Sequence, residues 1–196
     1  MNYYILNPFF KMLRSFFLFS LYLFPIFLYS QEKDEKSNVP AGQKYMTSFG
    51  VSLPLGDFSS THFLGFNAEF SISNQRFGQM KKVPVKRMAL IASGGSEFFL
   101  GKKEKVVTSS YKYPVYIVPY INGGIILNPF KEFSFSFIAG PALALYNSTT
   151  RFSLRAALQG NYFITKTIST GIRLSMTKES ISEPLWYGSL IVGYVF

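Results

Sequence analysis

Cysteine and histidine are the scarcest chemically useful residues in this 196-residue sequence, which has no cysteine and one histidine. The missing cysteine excludes disulfide bridges, cysteine-ligated zinc, iron–sulfur clusters, thiol catalysis and a lipidated cysteine. The single histidine excludes metal sites that need two imidazoles. The sequence therefore predicts no metal ion and no other cofactor.

Charged residues are also scarce, at 15% of the chain, whereas ordinary soluble domains have about 25%. Hydrophobic residues make up 48%, and they include 22 Phe and 13 Tyr. A core of this size needs less apolar surface, and so few charges cannot cover the exterior of a soluble domain. The composition indicates that part of the surface faces something other than water.

The N-terminus has the three regions of a secretory signal peptide. Lys11 and Arg14 precede the uncharged stretch Ser15–Ser30, and a polar stretch follows it. A basic region, an apolar region and a small residue before a polar flank predict cleavage at the end of the apolar stretch. Residues 1–30 are therefore predicted to be a signal peptide, and residues 31–43 a short leader.

Two alternatives concern this segment. Met12 could be the true start, which would give a more typical signal peptide. An uncleaved anchor is the competing interpretation, but 16 residues interrupted by Pro25 are fewer than the roughly 20 that a spanning helix needs. Cleavage removes two bases and no acid, so the mature chain carries 18 bases and 10 acids, a net charge of +8.

The mature sequence alternates between apolar and polar residues with the period of two that is typical of β-strands. Near the C-terminus, Ile172 and Leu174 fall on one face, while Arg173 and Ser175 fall on the other. No segment has a sustained helical stripe. Eight such runs are predicted: Lys44–Leu53, Phe63–Ser73, Arg87–Leu100, Tyr111–Leu127, Glu132–Leu145, Phe152–Ile164, Thr167–Thr177 and Leu185–Phe196.

The lengths of the runs and of their connectors carry further information. Most runs have 10 to 14 residues, close to the 9 to 11 that cross a tilted bilayer. The connectors Asn128–Lys131 and Thr165–Lys166 are short, whereas Gly101–Ser110, Tyr146–Arg151 and Lys178–Pro184 are longer. This alternation is typical of an outer-membrane barrel, whose tight turns lie on the periplasmic side.

One face of all eight runs carries no charged residue. On the outside of a soluble barrel that face would expose far more apolar surface than monomers tolerate, and turned inward it would overfill a narrow lumen. Contact with lipid satisfies both constraints. The opposite face carries six charges predicted to form a structural network of ion pairs in the lumen: Glu69, Arg87, Glu97, Lys112, Arg155 and Arg173. A gated pore or ligand site made by this cluster is the alternative.

Aromatic residues near the ends of the runs are predicted to form girdles at the two membrane interfaces. These residues are Tyr45, Tyr113, Tyr162, Trp186 and Tyr194.

The terminal run LWYGSLIVGYVF and the segment PYINGGIILNPFKEFSFSFIAGPALALY resemble the small outer-membrane β-barrels of Gram-negative bacteria, the OmpA-type transmembrane domains and OmpX-like proteins. The resemblance implies an all-β, eight-stranded antiparallel up-and-down transmembrane barrel over residues 44–196, with residues 31–43 as a periplasmic leader. It also implies that Tyr194 and Phe196 form a signal for the barrel-assembly machinery. A monomer in contact with outer-membrane lipid and lipopolysaccharide is expected.

Three features depart from the family's pattern. The connector Asn74–Lys86 is long for a periplasmic turn. Pro119 and Pro141 lie within strands, where each removes a ladder donor, and they predict bulges or less regular fourth and fifth strands.

The expected function is a structural, adhesive or surface-binding role without catalysis, and the alternatives are a lipid-modifying enzyme and a small channel or ligand carrier. Lipid A deacylases occur among eight-stranded outer-membrane barrels, but the sole histidine here, His62, lacks their His-x-Ser spacing. Lys102, Lys103 and Lys105, in the connector after the third run, are candidates for binding phosphates of lipopolysaccharide or anionic host polymers. Nucleic acid is not an expected partner, because the chain is exported and its bases are dispersed through leader and loops.

Overall fold

A computed structural model describes residues 43–74, 88–106, 109–128, 132–180 and 182–196. The predicted signal peptide and residues 31–42 of the predicted leader lie outside the described residues. So do residues 75–86 of the long connector, and also Arg87 of the predicted charge network.

Strands make up nearly all of the described chain, and all eight predicted runs contain a long strand. The elements are β1 (Gln43–Leu55), α1 (Phe58–Thr61), β2 (His62–Asn74), β3 (Met88–Gly101), β4 (Lys103–Val106), β5 (Ser109–Lys112), β6 (Tyr116–Leu127), β7 (Phe133–Tyr146), β8 (Thr149–Phe163), β9 (Ile168–Glu179) and β10 (Leu185–Val195). Among the described residues, no helix has the length and apolar character needed to cross a bilayer.

Eight of the strands form a closed antiparallel barrel in the order β1-β10-β9-β8-β7-β6-β3-β2. The first and last strands close it, with partners from Met46 and Val195 to Leu55 and Trp186. The predicted eight-stranded all-β architecture is therefore confirmed. We call the end that carries Met46 and Val195 the terminal end, and the opposite end, which carries α1, the loop end.

The fourth predicted run was wrong in its first part. Tyr111 and Lys112 do not belong to the barrel, because β5 pairs with β4 in a separate two-stranded hairpin. The barrel strand β6 begins only at Tyr116. Alternation alone cannot distinguish a barrel strand from a hairpin that continues beyond the barrel, since both have a period of two.

The pleat sorts the side chains as the sequence predicts. On β9 and β10, Ile172 and Leu190 point outward and are 67% and 68% exposed, whereas Arg173 and Ser189 point inward and are 2% and 4% exposed. On the outward face of the described barrel strands, Lys178 at the loop end of β9 is the single charged residue.

The two strand prolines interrupt the pairing of β6 with β7 but produce no bulge. The β6–β7 register stays constant from Tyr116↔Tyr146 to Leu127↔Phe135, but pairs are missing around Pro119 and Pro141. A proline lacks the N–H that the ladder needs, so these two strands are less regular. Of the two predicted outcomes, bulges or less regular strands, the structure shows the second. The irregularity of register lies elsewhere, between His62 and Leu64.

The connector Tyr146–Arg151, predicted to be long, is a two-residue turn. Asn147 and Ser148 have φ values of 46° and 65°, and Tyr146 pairs with Thr149 across the turn. A two-residue turn with both central residues in the left-handed region matches the twist of a hairpin, so the strands can extend almost to its tip. The loop end therefore combines this tight turn with larger connectors.

Candidate functional site

Two buried ion pairs cross the middle of the barrel lumen. Arg155 Nη2 on β8 lies 2.7 Å from Glu97 Oε1 on β3. Arg173 Nη2 on β9 lies 2.6 Å from Glu69 Oε1 on β2. The structure thus brings together four of the six charges predicted to lie in the lumen, and their side chains are 0–2% exposed.

Arg155 has several contacts besides Glu97. Its Nε donates to the Tyr187 hydroxyl at 3.2 Å, its Nη2 donates to Ser175 Oγ at 3.1 Å, and its guanidinium lies 3.9 Å from the centre of the Tyr120 ring. A buried guanidinium is tolerated only when a counter-charge and further acceptors surround it. These contacts fix Arg155 in one position across the lumen.

Arg173 and Glu69 are joined to the same network through Tyr120. Arg173 Nε donates to Gln159 Oε1 at 2.7 Å, and the Tyr120 hydroxyl donates to Glu69 Oε2 at 3.0 Å. Because the Tyr120 ring also lies under Arg155, one aromatic side chain contacts both ion pairs. The network links strands on opposite sides of the barrel, as a structural brace would.

An aromatic cluster fills the lumen between these ion pairs and the loop end. Phe58 of α1 inserts into the mouth, with its ring centre 4.9 Å from that of Phe99 and 5.5 Å from that of Tyr116. The Phe99 ring in turn contacts Tyr187, whose hydroxyl accepts a hydrogen bond from Arg155 of the ion-pair layer. Phe58 is not predicted as a lumen residue from the sequence, because a short helix between two strands has no periodic pattern of its own.

A cavity of about 290 Å³ remains beside Phe58 at the loop end. Its polar wall contains Glu179, which accepts from the Tyr116 hydroxyl at 2.7 Å and pairs with Arg151 at 3.2 Å. Its apolar wall includes Phe58, Tyr116 and Tyr146. The third ion pair thus lies at the mouth, and Arg151 was not among the predicted site residues.

His62 lines this cavity but is held by its neighbours. Its Nδ1 shares a 2.8 Å hydrogen bond with Thr61 Oγ1, its Nε2 donates to the Pro114 carbonyl at 3.2 Å, and its ring lies against Phe58. Both ring nitrogens therefore have hydrogen-bond partners at the mouth of the barrel. Among the described residues, no group of three histidine, cysteine or acidic side chains is placed to hold a metal ion.

The hairpin of β4 and β5 stands at the loop end and carries most of the candidate surface residues. At its base, the Lys102 N–H donates to the Thr61 carbonyl at 2.8 Å, and the Tyr113 N–H donates to the Lys102 carbonyl at 2.9 Å. Gly101 is required here, because a Cβ would lie 1.9 Å from the Tyr113 carbonyl oxygen. The base of the hairpin is therefore packed against the barrel rim.

The register of the hairpin sorts its lysines differently from the prediction. Lys103 faces Lys112 directly across the two strands, and Lys105 faces Ser110. Lys112, predicted to lie in the lumen, is exposed on this hairpin, so that prediction was wrong. Lys102 lies apart from the group, since its Nζ donates to the Ser59 carbonyl at 2.5 Å.

On the other face of the hairpin, two tyrosines and one acidic residue contact one another. Glu104 lies across from Tyr111, the Tyr111 and Tyr113 rings meet edge to face at 5.0 Å, and the Tyr113 hydroxyl donates to Glu104 at 2.8 Å. This hydrogen bond to a carboxylate raises the pKa of the Tyr113 phenol. Tyr113 therefore belongs to the hairpin, and its predicted place in a membrane girdle was wrong.

The two C-terminal aromatic residues lie at the terminal end. Tyr194 and Phe196 are 41% and 44% exposed, and their rings meet edge to face at 5.0 Å. The Phe196 N–H donates to the Tyr45 carbonyl at 3.0 Å, which anchors the last residue to β1. Both rings are accessible on the outside of the barrel, as recognition by another protein would require.

No protein-family model and no curated protein matches the sequence. Solved structures do: Ail, the attachment invasion locus protein of Yersinia pestis, in complex with the heparin analogue sucrose octasulfate, is 10% identical with a TM-score of 0.53, over 79% of this chain and 99% of that one. A second Ail structure is 12% identical with a TM-score of 0.49, over 79% and 99% of the two chains. The N-terminal barrel domain of Pseudomonas aeruginosa OprF is 13% identical with a TM-score of 0.47, over 79% and 98%. The chain has the closed eight-stranded fold of the small outer-membrane β-barrels.

Proposed function

We propose that this chain is an integral outer-membrane β-barrel protein with a surface-binding role and no catalytic activity. The observation that carries the proposal is the belt of exposed, uncharged apolar side chains around a closed barrel. Phe49, Leu158, Ile172 and Leu190 are each more than half exposed, and they belong to four different strands. Apolar surface on this scale is unfavourable in water and favourable in lipid.

The backbone supports the same environment. A bilayer offers no water to bond unpaired N–H and C=O groups, so a spanning sheet must close on itself. Here β1 pairs with both β2 and β10, which leaves the barrel without an edge. Tyr162 and Tyr194 at the terminal end and Trp186 at the loop end are exposed on the outside, where interfacial aromatic residues are expected.

The filled lumen favours a structural interior over a channel. The ion pairs of Arg155 and Arg173 span the middle, and the Phe58 cluster occupies the loop half. A barrel of eight strands has an interior just wide enough for its own side chains. A ligand carrier is the second candidate, because the 290 Å³ cavity beside Phe58 opens at the loop end.

A surface-binding role is supported by what the loop end presents. In an outer-membrane barrel with a periplasmic N-terminus, the loop end faces the outside of the cell. The hairpin there carries exposed lysines, and basic side chains bind phosphate and sulfate groups. Ail, which shares the fold, has been crystallised with a heparin analogue. A partner that carries anionic phosphate or sulfate groups is proposed for this chain.

Gel mobility of membrane fractions tests the membrane proposal. We expect the protein to be recovered in the outer-membrane fraction. Because a folded barrel resists detergent, we also expect its unboiled sample to migrate differently from its boiled sample. Recovery from the soluble periplasm without a mobility shift would contradict the proposed function.

A further inference from the structure

The structure assigns an anion-binding face to the surface hairpin: we propose that Lys103, Lys105 and Lys112 bind the phosphate groups of lipopolysaccharide in the leaflet around the barrel. This inference rests on the proposed membrane location. It deepens the surface-binding role by naming the residues and the partner. It also differs from the sequence prediction, since Lys112 replaces Lys102.

The arrangement of the three lysines is the first argument. Lys103 and Lys112 are direct cross-strand partners, and Lys105 follows two positions along the same face. All three are exposed, and among the described residues none of them has a carboxylate partner. Like charges directly opposite each other destabilise a strand pair, and an anion bound between them would remove that cost.

The rest of the hairpin shows that the face is not a random solvated run. Its single acid, Glu104, lies on the opposite face and is bound by Tyr113. Lys102 lies on that opposite face as well and is bound to Ser59. The two strands thus separate partnered from unpartnered charge, and they leave three positive charges together.

The direction of this face points to lipid. Lys102, on the partnered face, donates its Nζ to the Ser59 carbonyl of α1, the helix that inserts Phe58 into the mouth of the barrel. One face of the hairpin is therefore turned toward the mouth. The lysines lie on the other face of the hairpin, away from the mouth, and in an outer-membrane barrel the leaflet surrounds the barrel on that side.

The distance from the apolar belt fits a lipid headgroup. Leu100 is the last outward residue of β3, and Phe63 on the neighbouring strand is 50% exposed near the same level. Lys103 follows three residues later, about 10 Å along the chain at 3.3 Å per residue, which is about 7 to 8 Å along the barrel axis at the usual strand tilt of about 35 to 45°. The headgroup region extends about 5 to 8 Å beyond the hydrocarbon on each side. The lysine face therefore begins at the outer edge of the headgroup region, within reach of lipid phosphates for a long lysine side chain, and a soluble sulfated polymer needs no such position.

Direct binding of lipopolysaccharide tests the proposal. The full chain, recovered folded from membranes in detergent, is immobilised, and detergent-dispersed lipopolysaccharide is passed over it. We expect Lys103→Gln/Lys105→Gln/Lys112→Gln to weaken binding about 100-fold, since each lysine near an anionic surface contributes about fivefold. Lipopolysaccharide without its phosphates should bind the unchanged protein as weakly as intact lipopolysaccharide binds the triple variant.

A matched pair of single variants gives the control. Lys112→Gln should weaken binding about fivefold, whereas Lys166→Gln, which removes an equally exposed lysine at the terminal end, should leave it unchanged. Equal binding by the triple variant and the unchanged protein would overturn the proposal, as would equal binding of dephosphorylated lipopolysaccharide. Binding of heparin but not of lipopolysaccharide would overturn it in favour of a soluble sulfated polymer. The gel mobility of each variant reports separately on the barrel, so failure of the membrane proposal is distinguishable.

Discussion

The lumen and the surface hairpin both contain clusters of charged side chains, but the arginines of the lumen have carboxylate partners and the lysines of the hairpin face each other. In the lumen, Arg155 and Arg173 each have a carboxylate within 2.7 Å and neutral hydrogen-bond partners besides. On the hairpin, Lys103 and Lys112 face each other with no acid between them. Charge inside the barrel must be neutralised by the fold itself, because no solvent can do so. Charge on the hairpin is left for solvent or for a partner, which is why we infer a structural role for the lumen charges and propose a binding role for the hairpin lysines.

The largest effect is expected when one charge of a lumen ion pair loses its counter-charge. We expect Arg155→Met to lower the free energy of unfolding by about 3 to 5 kcal/mol, because Glu97 would stay buried without a counter-charge. Denaturant unfolding of the barrel refolded in lipid vesicles measures this. The double variant Arg155→Met/Glu97→Leu should regain most of the loss, and Lys103→Met on the hairpin should change stability by less than about 0.5 kcal/mol. Equal stability of the single and double variants would show that the ion pair is not a brace.

A new charge on the outside of the barrel is expected to have the next largest effect on stability, because that surface offers neither a counter-charge nor water. Leu174→Arg, in the middle of β9, should cost about 2 to 4 kcal/mol in the same unfolding experiment. Thr170→Arg, on the same face of the same strand but nearer the terminal end, should cost about 0 to 1 kcal/mol because it lies closer to an interface. If both variants were tolerated equally, the outward face would not be the lipid face.

The smallest expected effect concerns the partnered face of the hairpin. The hydrogen bond to Glu104 raises the pKa of Tyr113, because ionising the phenol would place two negative charges side by side. Glu104→Gln should therefore lower that pKa toward the ordinary value for tyrosine, while leaving lipopolysaccharide binding intact. The ring-carbon resonance of Tyr113, followed against pH, measures the change. An unchanged pKa would mean that the two faces of the hairpin are not separated in solution.

Much of the barrel could be read from local pattern. The alternation in Thr167–Thr177 predicts which side of β9 faces outward, because successive side chains of a strand point to opposite faces wherever the strand lies. The same rule placed Glu69, Glu97, Arg155 and Arg173 on the inward face. It failed at Lys112, because a period of two also describes a hairpin outside the barrel.

Residue type and a period of two are sufficient to predict the number of long barrel strands, the apolar outward face, on which Lys178 is the single charge among the described barrel strands, and the inward positions of Glu69, Glu97, Arg155 and Arg173. Only the tertiary structure decided that Glu97 meets Arg155 and Glu69 meets Arg173, because these partners are 58 and 104 residues apart and closure of the barrel brings them together. It also decided that Phe58 fills the mouth and that Lys112 joins Lys103. Both depend on how the chain turns between strands, where a few backbone angles and one close contact at Gly101 outweigh any repeating pattern.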